Sequence, residues 1–113
     1  MKGADYLALA RLLMANGDLA RGEREAKART AISRAYYAVY LEVRNRLFPA
    51  EINVKHGHII QQVMREVGLE QAAHLRNLYR MRERADYRLA EAISDEDAKE
   101  CIRIGEELIA AIS

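Results

Sequence analysis

Pro49 is the only proline in this chain of 113 residues, so one position alone has a fixed φ and no backbone N–H to donate. Valine and threonine, which stiffen strands, are scarce, while Ala, Leu, Arg and Glu recur throughout. No segment alternates apolar and polar residues convincingly, whereas apolar residues three and four positions apart recur along the chain. The expected fold class is therefore all-α.

The first amphipathic segment carries Tyr6, Leu7, Leu9, Ala10, Leu13 and Met14, and Asn16-Gly17 stops it with residues that tolerate a left-handed backbone. A polar stretch from Asp18 to Arg24 is expected to connect it onward. The second helix is expected from about Glu25 to Phe48, ended by Pro49, with a main stripe of Ile32, Ala35, Tyr36, Val39, Tyr40, Val43 and Leu47. Its other side holds Ala31, Ala38 and Leu41 beside Arg34, which asks for contact with a neighbouring helix or with another copy of the chain; dimerisation is the natural reading.

After an irregular stretch from Ala50 to Lys55, Ile59, Ile60, Val63, Met64 and Val67 make a short third helix that ends at Gly68. The fourth, roughly Glu70 to Ala92, carries Leu75, Leu78, Ala85 and Leu89, and Ser94-Asp95 with Asp97 caps a fifth lined by Ala98, Cys101, Ile102, Gly105, Leu108, Ile109 and Ile112. These faces are expected to close as one domain over residues 1–113, an up-and-down bundle of four to five helices.

Charge narrows the function classes. The 18 Lys and Arg offset the 17 Asp and Glu to a net charge of +1, so there is no global pull toward polyanions and any such binding must come from local clustering. No stretch approaches the roughly 18–20 apolar residues of a membrane span, and Lys2 and Asp5 spoil a signal-peptide core, so a cytoplasmic protein with no membrane role is expected. The lone thiol, Cys101, makes no internal disulfide and lacks CxxC spacing. No cofactor is expected.

The charge does cluster on the fourth helix, where Arg76, Arg80, Arg82, Arg84 and Arg88 fall within 13 residues. At about 100° per residue, Arg76, Arg80 and Arg84 share an outward side with Tyr87. That stripe is either an ordinary solvated face or a surface for phosphate, since Arg forks chelate phosphate oxygens and a Tyr ring stacks on bases. Arg82 points instead toward the interior or an interface, with Asp86 one turn later as its partner: either a structural ion pair or a pair lining a cleft between subunits.

Two runs carry a resemblance. Thr30-Ala31-Ile32-Ser33-Arg34-Ala35-Tyr36-Tyr37-Ala38-Val39-Tyr40, followed after Lys55-His56-Gly57 by Arg82-Glu83-Arg84-Ala85-Asp86-Tyr87, resembles the HEPN domain family in its small single-domain branch. The resemblance covers most of the chain. It implies a helical bundle that forms a homodimer and is often paired with a minimal nucleotidyltransferase, with many members cutting RNA as toxins or serving toxin–antitoxin and antiviral defence systems. It also makes Tyr87 a candidate acceptor of AMP, because a partner silences some related toxins by adenylylating the motif Tyr.

The chain departs from the ribonuclease members, which carry an Arg, four to six further residues, and then His. Laid on Arg80, that pattern puts Ala85 where His should be and Tyr87 at the following Tyr, and no other register restores it. Metal-free cleavage needs a group that moves a proton near neutral pH, and a methyl does not.

The leading expectation is thus a HEPN dimer that binds nucleotide or RNA: Arg82 and Asp86 organise the cleft between subunits, Arg80 and Arg84 hold phosphate, and Tyr87 stacks or offers its hydroxyl. One rival is an atypical metal-independent endoribonuclease in which Asp86 or a histidine of the turn holding His56 and His58 replaces the missing base. The other is a structural dimerisation module. His56-Gly57-His58 lacks a nearby acid and His74 lies on another helix, so no metal site is expected. Ser33 lacks an evident His and acid to activate it. The tyrosines Tyr36, Tyr37 and Tyr40 are read as core and interface residues.

Overall fold

The computed structural model describes residues 3–15, 21–48 and 55–112. Within them, 89% of residues are helical and no strand occurs, in five helices: α1 (Gly3–Ala15), α2 (Arg21–Leu47), α3 (His56–Glu66), α4 (Leu69–Tyr87) and α5 (Asp95–Ile112). The all-α bundle follows the spacing of the apolar residues.

The 27 residues of α2 run about 40 Å at 1.5 Å per residue, close to the 42 Å long axis of the molecule. Every other helix packs against α2. Its main stripe is buried through Ile32, Ala35, Tyr36, Val39 and Val43. Ala31, Ala38 and Leu41, the second stripe, are also buried within the chain itself, so neighbouring helices account for that side and it does not call for a second copy.

Two boundaries differ from expectation. Residues 21–24, expected in a connector, already belong to α2; the expected stops at Asn16-Gly17 and Pro49 lie outside the described residues. More consequentially, α4 ends at Tyr87, and Arg88 leaves the helical region at φ −111°, ψ 71°. Leu75, Leu78 and Ala85 are buried as expected, but Leu89 is 75% exposed, because the helical face it was assigned to stops two residues earlier.

Local chemistry sets the other joints. Gly68, with φ 144° in the region open to glycine, separates α3 from α4 and donates its N–H to the Val63 carbonyl at 3.0 Å. A reciprocal capping box starts α5: Ser94 Oγ accepts the Asp97 N–H at 3.1 Å and the Asp97 carboxylate accepts the Ser94 N–H at 2.9 Å. No helix is long and apolar enough to cross a membrane among the described residues.

Candidate functional site

Along α2, Ser33, Arg34, Tyr36, Tyr37, Tyr40 and Arg44 form one wall of a cleft of about 400 Å³, and His56 and Arg82 close it from the other side. The wall exists because these positions step by three or four along a helix and so share a face. Arg34, Tyr37, Tyr40 and Arg44 illustrate it. The rings of Tyr37 and Tyr40 stack at 6.0 Å with 13° between planes, Arg44 stands over Tyr40 at 6.0 Å, and Arg34 stands over Tyr6 at 5.9 Å. A neighbouring hollow of about 420 Å³ shares Ser33 and Arg34 and reaches Asp86.

Arg82 and Asp86, one turn apart on α4, form an ion pair with Nε 2.9 Å from Oδ2. Ser33 of α2 donates to that same oxygen at 3.0 Å. The carboxylate therefore ties α4 to α2 and aims the guanidinium, which lies 5.9 Å from the Tyr36 ring and 5.2 Å from the Tyr87 ring. Both partners are about a quarter exposed, so the pair lines an opening in the bundle and is not sealed in the core.

His56, the first residue of α3, enters the same cleft. Its Nδ1 is hydrogen-bonded to the Tyr36 hydroxyl, and its ring packs 4.5 Å from that of Tyr79. Burial, reinforced by the neighbouring Arg82, holds the imidazole below its ordinary pKa, against a smaller opposing effect of Glu83. Burial likewise pushes the Tyr36 phenol above its usual range, with Tyr79 adding to it. Around neutral pH the cleft thus sets an uncharged Tyr–His pair beside the permanent charge of Arg82.

The other residues singled out from the sequence separate. Arg80 is exposed on α4, and Tyr87 is 68% exposed at its last position. Arg84, assigned to the outward stripe as a phosphate holder, is partly exposed and engaged within the chain: its Nε meets Glu91 at 3.0 Å and its Nη1 meets Met81 Sδ at 3.2 Å. It braces the bend after α4, because the helix ends before the chain passes Glu91. Ala85 is 2% exposed, so the position aligned with the ribonuclease histidine faces the core. His58 is exposed, and His74 lies half-buried on α4. Among the described residues no group of three or more His, Cys, Asp or Glu is placed to hold a metal. Burial pushes the Cys101 thiol up to about 12, which leaves it protonated and inert.

Two features escaped the reading of the sequence. The tyrosines of α2 serve the cleft as well as the core: Tyr36 is buried, yet Tyr37 is 41% exposed. The 3-3-4 spacing of Arg34, Tyr37, Tyr40 and Arg44 was the available signal. Arg29 gave no local signal of its reach to α4. Its guanidinium reaches from α2 to the carbonyls of Arg84 at 2.9 Å and Ala85 at 3.1 Å, and also to that of Glu91, and it pairs with Glu25 at 2.8 Å.

A family model described as HEPN domain matches residues 2–113. This chain belongs to the HEPN domain family. For a HEPN protein the cleft is chemically apt, and membership supports a nucleotide- or RNA-related role in general terms. No curated protein and no solved structure matches the chain.

Proposed function

We propose that this HEPN protein binds nucleotide or RNA in the cleft between α2, the start of α3 and α4, and acts with a minimal nucleotidyltransferase partner in a toxin–antitoxin or defence-type system. The observation that carries the binding reading is the make-up of the cleft. Three guanidinium groups, those of Arg34, Arg44 and Arg82, surround the rings of Tyr36, Tyr37 and Tyr40, and among the described residues that line it there is no carboxylate. Arginine forks suit phosphate oxygens, and exposed rings suit bases. Arg82 is the residue held most firmly, by Asp86 and through it by Ser33.

Binding of a labelled single-stranded oligonucleotide tests the reading. Affinity should fall steeply with salt and with Arg82→Ala; no binding at low salt would overturn it. The partner and the homodimer rest on the family resemblance. Tyr87, 68% exposed, is open to adenylylation, in which the phenol oxygen attacks the α-phosphorus of ATP and pyrophosphate leaves. Incubation with the partner enzyme and ATP should add one adenylyl group by mass, lost in Tyr87→Phe. A solution mass of 12.9 kDa, that of one chain, would count against the dimer.

A second reading is favoured by the position of His56. An atypical endoribonuclease would draw its proton-transfer group from outside the usual motif, and His56 lies in the cleft with its ring fixed by Tyr36. Growth arrest and defined RNA cleavage on expression of the wild type, abolished by His56→Ala, would establish that reading; intact RNA and normal growth would remove it.

A further inference from the structure

The wall of the cleft is longer than one nucleotide needs. Arg34 and Arg44 lie ten positions apart on one uninterrupted helix, which separates their backbones by about 15 Å along its axis. Between them stand the stacked rings of Tyr37 and Tyr40, with Arg82 opposite. A strand advances roughly 3.4 Å per nucleotide when stacked, and further when its bases are splayed. The phosphate of a mononucleotide reaches one end of this wall, and the other arginine is then left without a phosphate.

We propose that the cleft takes a short single-stranded segment of about two to four nucleotides laid along α2, with phosphates at Arg34 and Arg44 and an unstacked base against Tyr37 or Tyr40. This rests on the binding reading above and specifies its ligand. A duplex does not meet the requirement, because its bases are stacked on one another and their faces are hidden. Tyr37 is exposed enough to take a base, and base–aromatic stacking tolerates any sequence. Little sequence preference is therefore expected.

The test is a length series on the unaltered chain at low salt: AMP, then oligoadenylates of two, three, four and six nucleotides, with a blunt hairpin duplex as competitor. Affinity should rise at least tenfold from AMP to the trimer or tetramer and then level off, and the duplex should compete poorly. Arg34→Ala and Arg44→Ala should each cut that gain at least fivefold and lower the salt slope for the tetramer by about 0.7, the loss of one phosphate contact; Arg34→Lys, which keeps the charge, should retain the slope. AMP binding as tight as the tetramer would overturn the inference while leaving the binding reading intact, as would a gain that survives both alanine variants. No binding of any probe would overturn both.

Discussion

The Arg29 guanidinium donates to the Arg84 carbonyl at 2.9 Å across 55 positions of sequence. Its contact to Ala85 satisfies a carbonyl that the end of α4 would otherwise leave without a donor, and its contact to Glu91 fastens the turn that follows. A cation at that end also opposes the negative pole of the helix. Arg29 is thus part of what holds α4 to its length, and so holds the turn carrying Arg82, Asp86 and Tyr87.

Removing it should be costly. Its side chain is only 11% exposed, so Arg29→Ala strands several acceptors and should destabilise the fold by about 2–3 kcal/mol. Urea unfolding followed by circular dichroism measures this. Arg29→Lys should recover only part of the loss, because an ammonium lacks the planar fork that spans several carbonyls.

The Arg82–Asp86 pair should matter more for binding than for stability. Partly exposed pairs contribute about 0.2–1 kcal/mol, and a double-mutant cycle on Arg82→Ala and Asp86→Ala should return a coupling of that size in unfolding free energy. Oligonucleotide affinity should fall about tenfold in Arg82→Ala, or 1.4 kcal/mol. Asp86→Ala should also weaken binding by freeing the guanidinium from its fixed direction. An Arg82→Ala variant that binds like the wild type would exclude this residue from the site.

The Tyr36–His56 contact predicts a dependence on pH. Because the folded protein holds His56 below its ordinary pKa, the unfolded chain takes up the proton first as pH falls. Stability should therefore be fully present above the unfolded value of about 6.5 and decline as pH drops from there through the lower folded value. His56→Gln should flatten that decline in unfolding titrations. At the alkaline end the raised phenol works in the other direction: the unfolded chain loses its proton first, and stability should fall once pH passes about 10. Tyr36→Phe should remove that limb.

Close packing at the start of α1 gives a fourth expectation. A Cβ built on Gly3 would lie 2.6 Å from the Ala38 carbonyl oxygen and 2.5 Å from the Glu42 side chain, while the Gly3 N–H already donates to Glu42 at 3.0 Å. Gly3→Ala should force the helices apart and cost about 1–3 kcal/mol. A thermal midpoint matching that of the wild type would show that α1 accommodates the methyl by shifting.

The sequence by itself determined the helices and most of the core, because helical periodicity is local: a residue's face depends on its spacing from its neighbours three and four positions away. Ile32, Val39, Leu75, Leu78 and Leu108 are all buried where their spacing placed them. The same logic paired Arg82 with Asp86, one turn apart, and the two motif runs carried the HEPN resemblance that the family match then showed.

Only the tertiary structure decided what lies opposite what. Nothing in the spacing of α2 said whether Ala31, Ala38 and Leu41 met a neighbouring helix or a second chain, since both bury the same stripe equally well. Arg84 lies within α4, but its meeting with Glu91 depends on where the chain turns after Tyr87, and that end is held in part by Arg29, contributed from another helix 55 positions away. His56 and Arg82 share a cleft only because α3 and α4 both pack on α2. Periodicity fixes directions around one helix axis, but the meeting of side chains from different helices depends on how those axes are placed, which is set by the packing of the whole core.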